Sequence, residues 1–254
     1  MDFRRYMKEA LIELGCYRWG RRAYHQLLPT KVGRDHRRQV EFYSEFLSPG
    51  DLCFDVGANI GAKSEIFLDT GARVVAFEPQ PGCLREMRAR CGSNRRLAVV
   101  AAAIGRRAGE ATLFVGAQTS TSSLRPDWDP DSRGELKVPV VTLDGMIEKY
   151  GLPRFCKIDV EGFELEVLGG LSQPIPVISL EYHLDNCDIE KTMSCLDRIA
   201  AWGPLLLNLT YGEEPGLSWP EWVSLEQFRS DFPDRAPRSS TCGYGDIFIR
   251  SNAG

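Results

Sequence analysis

Two features of the sequence have residue types and spacing suited to binding a nucleoside. They are a glycine-containing stretch at 55–61 and a glutamate, Glu78, that lies 21 residues after Gly57. Glycines let a loop turn tightly and approach a ligand, and a carboxylate after the next strand can accept hydrogen bonds from both hydroxyls of a ribose. A strand-to-helix loop lies at the carboxyl end of a parallel strand, where such sheets bind ligands. The pair therefore predicts a nucleoside-binding crevice.

The charge of the loop decides between nucleoside ligands. A dinucleotide site prefers Gly-x-Gly-x-x-Gly, so that backbone amides meet a pyrophosphate. Here Asn59 replaces the middle glycine, and Asp55 stands at the predicted strand tip. A carboxylate there would repel phosphate but would attract a ligand that carries an ammonium and a sulfonium group. S-adenosylmethionine carries both groups and no phosphate, so the loop predicts this molecule as the cofactor.

The segment 157–164, Lys-Ile-Asp-Val-Glu-Gly-Phe-Glu, places Asp159 at the end of another predicted strand. We expect Asp159 to face the same crevice as Asp55 and to contact the ammonium of the cofactor or the substrate. Glu161 and Glu164 fall at the predicted start of a helix, where the helix dipole favours acids. Both a structural and a functional interpretation of these two glutamates stay open.

His183 ends the next predicted strand, in the sequence Glu-Tyr-His. The ordinary pKa of histidine, about 6.5, suits a general base for a hydroxyl nucleophile, so we predict His183 as a catalytic residue together with Asp159. Transfer from a sulfonium depends largely on alignment, since the methyl group is already activated. A structural role for His183 therefore stays open.

A metal-dependent alternative rests on oxygen ligands at two neighbouring strand ends. Asp159, Asp185 and Asn186 could hold Mg²⁺, which would orient a diol and lower its pKa. Asp185 and Asn186 are better explained as the cap of the following helix. The three histidines and eight cysteines do not cluster at the spacing of zinc ligands. We therefore predict no metal site.

Alternating strands and helices must position these residues. Apolar runs of strand length occur at 52–56, 73–77, 97–102, 155–159, 177–181, 205–209 and 247–249. Helical patterns occur near 61–70, 81–91, 162–169 and 188–202. This alternation predicts an α/β fold with a Rossmann-like, mostly parallel sheet covered by helices on both faces.

The N-terminal residues 1–48 precede this alternation. Apolar residues at helical spacing predict an amphipathic helix at 2–14, and a second helical stretch follows near 35–47. We predict a helical extension that acts as a lid or cap on a domain spanning 49–254.

Two insertions interrupt that domain. Residues near 116–135 form a polar loop between two extra strands predicted at 111–115 and 137–142. Residues near 212–245 are rich in glycine, proline and tryptophan and are predicted to be irregular. Because acceptor pockets are built from such segments, the sequence does not name the acceptor.

The composition of the chain indicates which kinds of partner are expected. The net charge of −4 does not favour nucleic acid, although residues 1–40 hold ten Lys or Arg against four Asp or Glu. Apolar runs stay shorter than the roughly 20 residues of a membrane helix, and scattered cysteines without Cys-x-x-Cys pairs favour reduced thiols. We expect a cytoplasmic protein without a membrane span that acts on a small-molecule acceptor, and a homodimer stays open.

These motifs together resemble the FkbM-type family of S-adenosylmethionine-dependent methyltransferases. The resemblance rests on DVGANIG, FEP at 77–79, VTLD at 141–144 and KIDVEGFE, and it runs from about 51 to 183. It implies a seven-stranded sheet of the class I methyltransferase type. It also implies methyl transfer to a hydroxyl oxygen of a natural product or sugar.

The resemblance implies roles for individual residues. Glu78 would bind the ribose, and the stretch around Ala103 would edge the adenine. The methionine portion would be surrounded by Asp55, Gly57, Asn59 and Gly61. Many methyltransferases place an acid or amide where Ala103 stands, so adenine recognition here is expected to depend on main-chain groups.

Three alternatives remain from the sequence. A Mg-dependent O-methyltransferase would use the oxygen ligands described above. A nicotinamide-dependent oxidoreductase would use the glycine turn and Glu78, but Asp55 and Asn59 oppose it. A catalytically silent nucleoside-binding scaffold would use the basic N-terminal helix for docking.

Overall fold

The fold is seen in a computed structural model that describes residues 31–116, 121–129, 131–184, 186–235 and 243–251. The predicted helix at 2–14 lies outside the described residues. Among the helices described, none is long and apolar enough to cross a membrane.

The described chain alternates helices and strands in the order expected of an α/β fold. The helices are α1 Lys31–Tyr43, α2 Ala62–Asp69, α3 Pro81–Cys91, α4 Leu143–Tyr150, α5 Glu164–Gly169, α6 Asn186–Ala200 and α7 Leu225–Arg235. The strands are β1 Leu52–Val56, β2 Arg73–Phe77, β3 Leu97–Val100, β4 Ala103–Ile104, β5 Gly109–Val115, β6 Gly134–Val141, β7 Phe155–Ile158, β8 Val177–His183, β9 Leu205–Leu209, β10 Val223–Ser224 and β11 Tyr244–Ser251.

Eight of the described strands form the main sheet, in the order β10-β9-β11-β8-β7-β1-β2-β3. Five neighbouring strands of this sheet, β8, β7, β1, β2 and β3, are parallel to one another. Strand β11 lies between β8 and β9 and is antiparallel to both. All seven predicted strands are present, and the short β10 adds an eighth at the edge. The predicted class, a Rossmann-like and mostly parallel sheet of the class I methyltransferase type with a helical N-terminus, is confirmed.

The strand order fixes where a ligand can enter. From β1 the chain proceeds outward to β2 and β3, and it later returns to β7 on the other side of β1. Such a reversal leaves a crevice at the carboxyl ends of the central strands, because the connecting loops diverge there. Every residue of β1 is buried, as expected for a strand with helices on both faces.

A second sheet, with the order β4-β6-β5, lies beyond β3. The extra strands predicted on either side of the polar loop are confirmed as β5 and β6, which pair antiparallel. The strand predicted at 97–102 ends earlier, at Val100, and the chain then joins β6 through β4. This break turns Ala103 from the main sheet toward the crevice.

The segment predicted to be irregular at 212–245 contains regular structure. β10 and α7 lie within it, and the helix buries Phe228 and Phe232 in the main core. The spacing of these two phenylalanines places both on one helical face. Gly, Pro and Trp residues hide this pattern when the segment is read by composition alone.

Residues 31–47 pack directly on the sheet. Phe42 and Phe46 are buried against Phe155 and Phe248, which lie on strands β7 and β11. The rings of Phe46 and Phe248 stack with centroids 4.9 Å apart. The second half of the predicted extension therefore belongs to the core, while the division of the chain at residue 48 and the function of a lid stay predictions.

Replacement of Phe46 by alanine tests this packing. Phe46 is 4% exposed, and removal of a buried phenylalanine leaves a cavity that costs about 3–5 kcal/mol. We expect Phe46→Ala to lower the free energy of unfolding by that amount in urea titrations. Val32→Ala is the control, because Val32 lies on the preceding helix α1 and is 52% exposed. Equal stability of the two variants would show that the end of the segment 31–47 is not part of the core.

Candidate active site

A cleft opens at the carboxyl ends of β1, β2 and β7, where the strand order reverses. Its cavity volume is about 110 Å³. The lining residues come from the loops after these strands, from β4 and β5, and from the insertion before β6. They are Gly57, Asn59, Phe77, Glu78, Pro79, Gln80, Ala103, Ile104, Leu113, Ser122, Ser123, Leu124, Asp159, Val160, Glu161 and Phe163.

Five of the predicted site residues line this cleft, and three do not. Gly57, Asn59, Glu78, Ala103 and Asp159 are among the lining residues. The other three lie nearby, and each has a different environment, described below. They are Asp55, Gly61 and His183.

The two glycines of the loop serve different purposes. Gly57 has a φ of 83°, and a side chain there would place its Cβ 1.8 Å from the carbonyl oxygen of Asp159. Gly57 thus lets the loops after β1 and β7 lie against each other at the cleft. Gly61 has a φ of 74° and precedes α2, and its missing side chain makes room for Met87 of α3. Its role is helix packing beside the cleft.

Glu78 presents a buried carboxylate to the cleft. One of its oxygens accepts a hydrogen bond from the backbone amide of Asn59 at 2.9 Å and the other from that of Gln80 at 2.7 Å. Burial raises the pKa of Glu78 to about 7, although these two hydrogen bonds oppose the shift. Each carboxylate oxygen can accept a second hydrogen bond, so two ribose hydroxyls would stabilise the ionised form.

Asp55 does not face the cleft, contrary to our expectation. It is the fourth residue of β1, and the alternation of side chains along the strand turns it toward α2. Its carboxylate accepts a hydrogen bond from Ser64 at 2.5 Å and is 1% exposed. Burial raises the pKa of Asp55 to about 6. Asp55 is therefore placed to support the start of α2 beneath the loop.

Asp159 lies beside a buried lysine. The ammonium of Lys157 lies 3.1 Å from Asp159 and 2.9 Å from Asp246 of β11. Burial alone would raise the pKa of Asp159, but the adjacent charge of Lys157 holds it below its ordinary value. An ionised carboxylate with a low pKa is a poor proton acceptor, so the geometry fits Asp159 better to binding a positive group than to accepting a proton.

His183 lies in a depression next to the cleft. Its Nε2 is 3.3 Å from a carboxylate oxygen of Glu181, and its ring lies between Trp128 and Tyr244. The centroid of the Trp128 ring is 5.2 Å away. Lys191 of α6 also lines the depression. His183 thus lies close to Glu161 at the cleft but is not among the residues that line the cleft.

Glu161 is the main site residue whose role the sequence left open. It lies before α5 rather than in its first turn, with a left-handed φ of 56°. The carboxylate of Glu164 accepts hydrogen bonds from the amides of Val160 and Gly162, which stabilises this turn. Such a backbone is uncommon for a residue other than glycine and is often found at functional sites. In the sequence, the only sign of this turn is the pair Glu161-Gly162, since glycine favours left-handed backbone.

The turn exposes the Glu161 side chain to the cleft. Its carboxylate accepts a hydrogen bond from the indole nitrogen of Trp128 at 3.0 Å, and Ser123 donates to its backbone carbonyl. Burial, followed by the charge of Asp159, raises the pKa of Glu161 to about 8. Both Trp128 and Ser123 belong to the insertion, so this long-range contact was not predictable from the local pattern.

Glu161, Glu181 and His183 form an acid–imidazole cluster, with one side-chain atom of each within 4.8 Å of the other two. Hydrogen bonds from Trp128 and the pairing of His183 with Glu181 account for this cluster, and we assign no ion to it. The alternative metal site formed by Asp159, Asp185 and Asn186 includes Asp185, which lies outside the described residues. Metal independence stays a prediction.

The charge of the cleft fits one kind of nucleoside ligand. Within the described chain, the lining includes three acids, Glu78, Asp159 and Glu161, and neither lysine nor arginine. A pyrophosphate would be repelled, whereas a sulfonium and an ammonium would be attracted. Apolar lining from Ile104 and Leu113 suits the faces of an adenine. The fold and the site together define a methyltransferase that binds S-adenosylmethionine.

Comparison with known proteins identifies the family. The model of the methyltransferase FkbM domain matches residues 55–211, which is more than half of the chain. The chain belongs to the FkbM methyltransferase family, and its cofactor is S-adenosylmethionine. This membership replaces the oxidoreductase alternative.

The individual proteins that the chain resembles share less than 30% sequence identity with it. Hexuronic acid methyltransferase AglP of Haloferax volcanii is 28% identical over 177 residues, which are 63% of this chain and 69% of the relative. An O-methyltransferase from Bacillus cereus, solved in complex with SAH, is 12% identical with a TM-score of 0.45, and 97% of this chain and 96% of that chain are covered. A precorrin-6y C5,15-methyltransferase from Geobacter metallireducens is also 12% identical with a TM-score of 0.45, and 89% and 90% are covered.

Replacement of Glu78 by glutamine tests the ribose site. The amide would offer one acceptor instead of two and would lose the charge, and each charge-assisted hydrogen bond is worth about 1.5–3 kcal/mol. We expect calorimetric titration to show S-adenosylmethionine binding weakened at least tenfold in folded Glu78→Gln protein. The exposed Glu110 provides the control Glu110→Gln. Unchanged affinity in the Glu78 variant would mean that the ribose lies elsewhere.

Proposed function

We propose that this protein transfers a methyl group from S-adenosylmethionine to a hydroxyl oxygen of a small molecule, with a sugar or a sugar-containing natural product as the acceptor. The observation that carries the proposal is the acidic wall formed by Asp159 and Glu161, with His183 behind it. The name of the relative from Haloferax volcanii supports a sugar acid as one member of the acceptor class.

The acidic wall favours a neutral acceptor group. A carboxylate entering beside Asp159 and Glu161 would meet negative charge, whereas a hydroxyl would not. A hydroxyl must lose its proton during the transfer, and nearby groups able to take a proton are then useful. The site supplies such groups, so the geometry supports ether formation at a hydroxyl over ester formation at a carboxylate.

The residues of the cleft have separate tasks in this proposal. Glu78 holds the ribose, and the backbone at Gly57 and Asn59 lies against the methionine portion. Asp159 offers an ionised carboxylate to the ammonium, and Asp55 acts from beneath through the start of α2. The cofactor supplies a methyl group already activated by the positive sulfur, so the protein contributes mainly by aligning the acceptor oxygen.

An acceptor panel tests the proposal. Glucuronic acid, its methyl ester and its methyl glycoside would each be incubated with the protein and S-adenosylmethionine, and S-adenosylhomocysteine would be measured. The position of a labelled methyl group would then be read by NMR. Transfer to a ring hydroxyl supports the proposal. Methyl found only as an ester or on nitrogen would contradict it.

Chelation tests whether a metal takes part. Because Asp159 is held by Lys157 and Glu161 by Trp128, we expect turnover to persist after treatment with EDTA. Turnover measured before and after treatment, and again after addition of Mg²⁺, checks this. Activity that is lost with EDTA and restored by Mg²⁺ would establish the Mg-dependent alternative.

Replacement of His183 by glutamine tests the proposed general base. We expect a loss of about 10²–10⁴ in the rate with a hydroxyl acceptor, the usual contribution of a positioned base. Affinity for S-adenosylmethionine should change little, because His183 does not line the cleft. His36→Gln is the matched control, since His36 pairs with Asp69 on other elements. Near-normal turnover in folded His183→Gln protein would leave His183 structural.

A further inference from the structure

The surroundings of Glu161 hold both acidic and basic groups. From its own segment Asp159 and Glu164 face it, and β8 contributes Glu181 and His183. Lys157 of β7 contributes a cation, as do Arg125 beside Trp128 and Lys191 of α6 at the adjoining depression. Lys157 and Arg125 are each paired with other carboxylates, as the following distances show.

Lys157 is fully engaged by carboxylates. Its side chain is 5% exposed, and it lies between Asp159 and Asp246 at 3.1 and 2.9 Å. Arg125 pairs with Asp127 at 2.8 Å. The carboxyl groups of Glu161 and Glu181 thus share a partly buried space next to the carboxylate of Asp159, and like charges so placed cannot all remain ionised.

Glu161 is the member of this group that a ligand can reach. It lines the cleft, whereas Glu181 lies behind it on β8, with a side chain that is 13% exposed. Burial and the charge of Asp159 raise the pKa of Glu181 well above its ordinary value. Glu161, whose pKa is raised to about 8 and which lines the cleft, is therefore the group whose charge a ligand can change.

We propose that Glu161 responds to the charge of the cofactor, being ionised when S-adenosylmethionine occupies the cleft and protonated when S-adenosylhomocysteine does. The two molecules differ by a methyl group and by one positive charge, at sulfur. A cation in the cleft compensates the carboxylate of Glu161, and its loss leaves that carboxylate facing Asp159 alone.

This inference rests on the proposed transfer to a hydroxyl, and it gives the proton of that hydroxyl a destination. The bond from sulfur to the methyl carbon breaks and its electron pair stays on sulfur, while a bond from the acceptor oxygen to the methyl carbon forms. The hydroxyl proton enters the cluster that His183 forms with Glu161, whose side-chain atoms lie within 4.8 Å of each other, and it ends on Glu161. One positive charge at sulfur and one negative charge at Glu161 disappear together.

Binding measurements test the inference without an acceptor. Wild-type protein would be titrated with S-adenosylmethionine and with S-adenosylhomocysteine at pH 7, in buffers of different ionisation enthalpy, so that released protons are counted. Any change in the protonation of Glu78 contributes equally to the proton release measured with each ligand, since both ligands carry the ribose. We expect S-adenosylmethionine to release more protons, by on the order of half a proton, because Glu161 ionises.

The ratio of the two affinities should also depend on pH. For each unit by which S-adenosylmethionine lowers the pKa of Glu161, it binds about tenfold more tightly to the ionised form. The preference for S-adenosylmethionine over S-adenosylhomocysteine should therefore rise between pH 6 and pH 9. In Glu161→Gln protein the preference should be flat with pH, and the difference in proton release should vanish.

Two further variants guard the interpretation. Trp128→Phe removes the indole donor but keeps Glu161, so the rise should shift to higher pH. Glu166→Gln changes a glutamate that pairs with Arg106 and whose side chain is 40% exposed, and it should behave as wild type. Equal proton release by both ligands in the wild type, or a difference that persists in Glu161→Gln, would overturn the inference. Failure to find product with the acceptor panel would contradict the proposed function but not this inference, since these titrations use no acceptor.

Discussion

Lys157 places a positive charge inside the sheet, with its ammonium 2.9 Å from Asp246 and 3.1 Å from Asp159. Burial alone would lower the pKa of Lys157, but the two carboxylates raise it well above its ordinary value. The ion group joins β7 to β11 and keeps Asp159 ionised at the edge of the cleft. Removal of the ammonium would leave the buried carboxylate of Asp246 and the partly buried one of Asp159 without compensation, which is costly in a protein interior.

The hydrophobic frame determines where these charges meet. Side chains alternate along β1 and β7, so Phe54 and Cys156 enter one core layer, and Asp55 and Lys157 share the other face as register neighbours. The polar residues lie toward the carboxyl ends of the strands, and the aromatic packing of Phe155 and Phe248 closes the sheet behind them. A row of ionisable groups is thereby held at the cleft by a rigid apolar support.

An acid-lined cleft is expected to favour some ligands and disfavour others. Glu78, Asp159 and Glu161 oppose phosphates and favour a cofactor with positive charges, which agrees with membership of the FkbM methyltransferase family. The same negative charge disfavours a carboxylate beside the reacting sulfur and raises the pKa of the carboxyls nearby. Cofactor choice, acceptor chemistry and proton handling thus depend on one electrostatic feature.

The sequence by itself determined the cofactor loop, Glu78 and the seven main strands, because glycine turns, strand-end acids and apolar runs are local patterns. It did not show that Asp55 would turn toward α2, since a shift of one residue along a strand reverses the face of a side chain. It also missed α7. Only the tertiary structure brought Trp128 of the insertion against Glu161, because that contact joins residues 33 positions apart. The balance of charge around Glu161 was likewise decided by folding, as it sums groups from β7, β8, α6 and the insertion, which no sequence pattern places together.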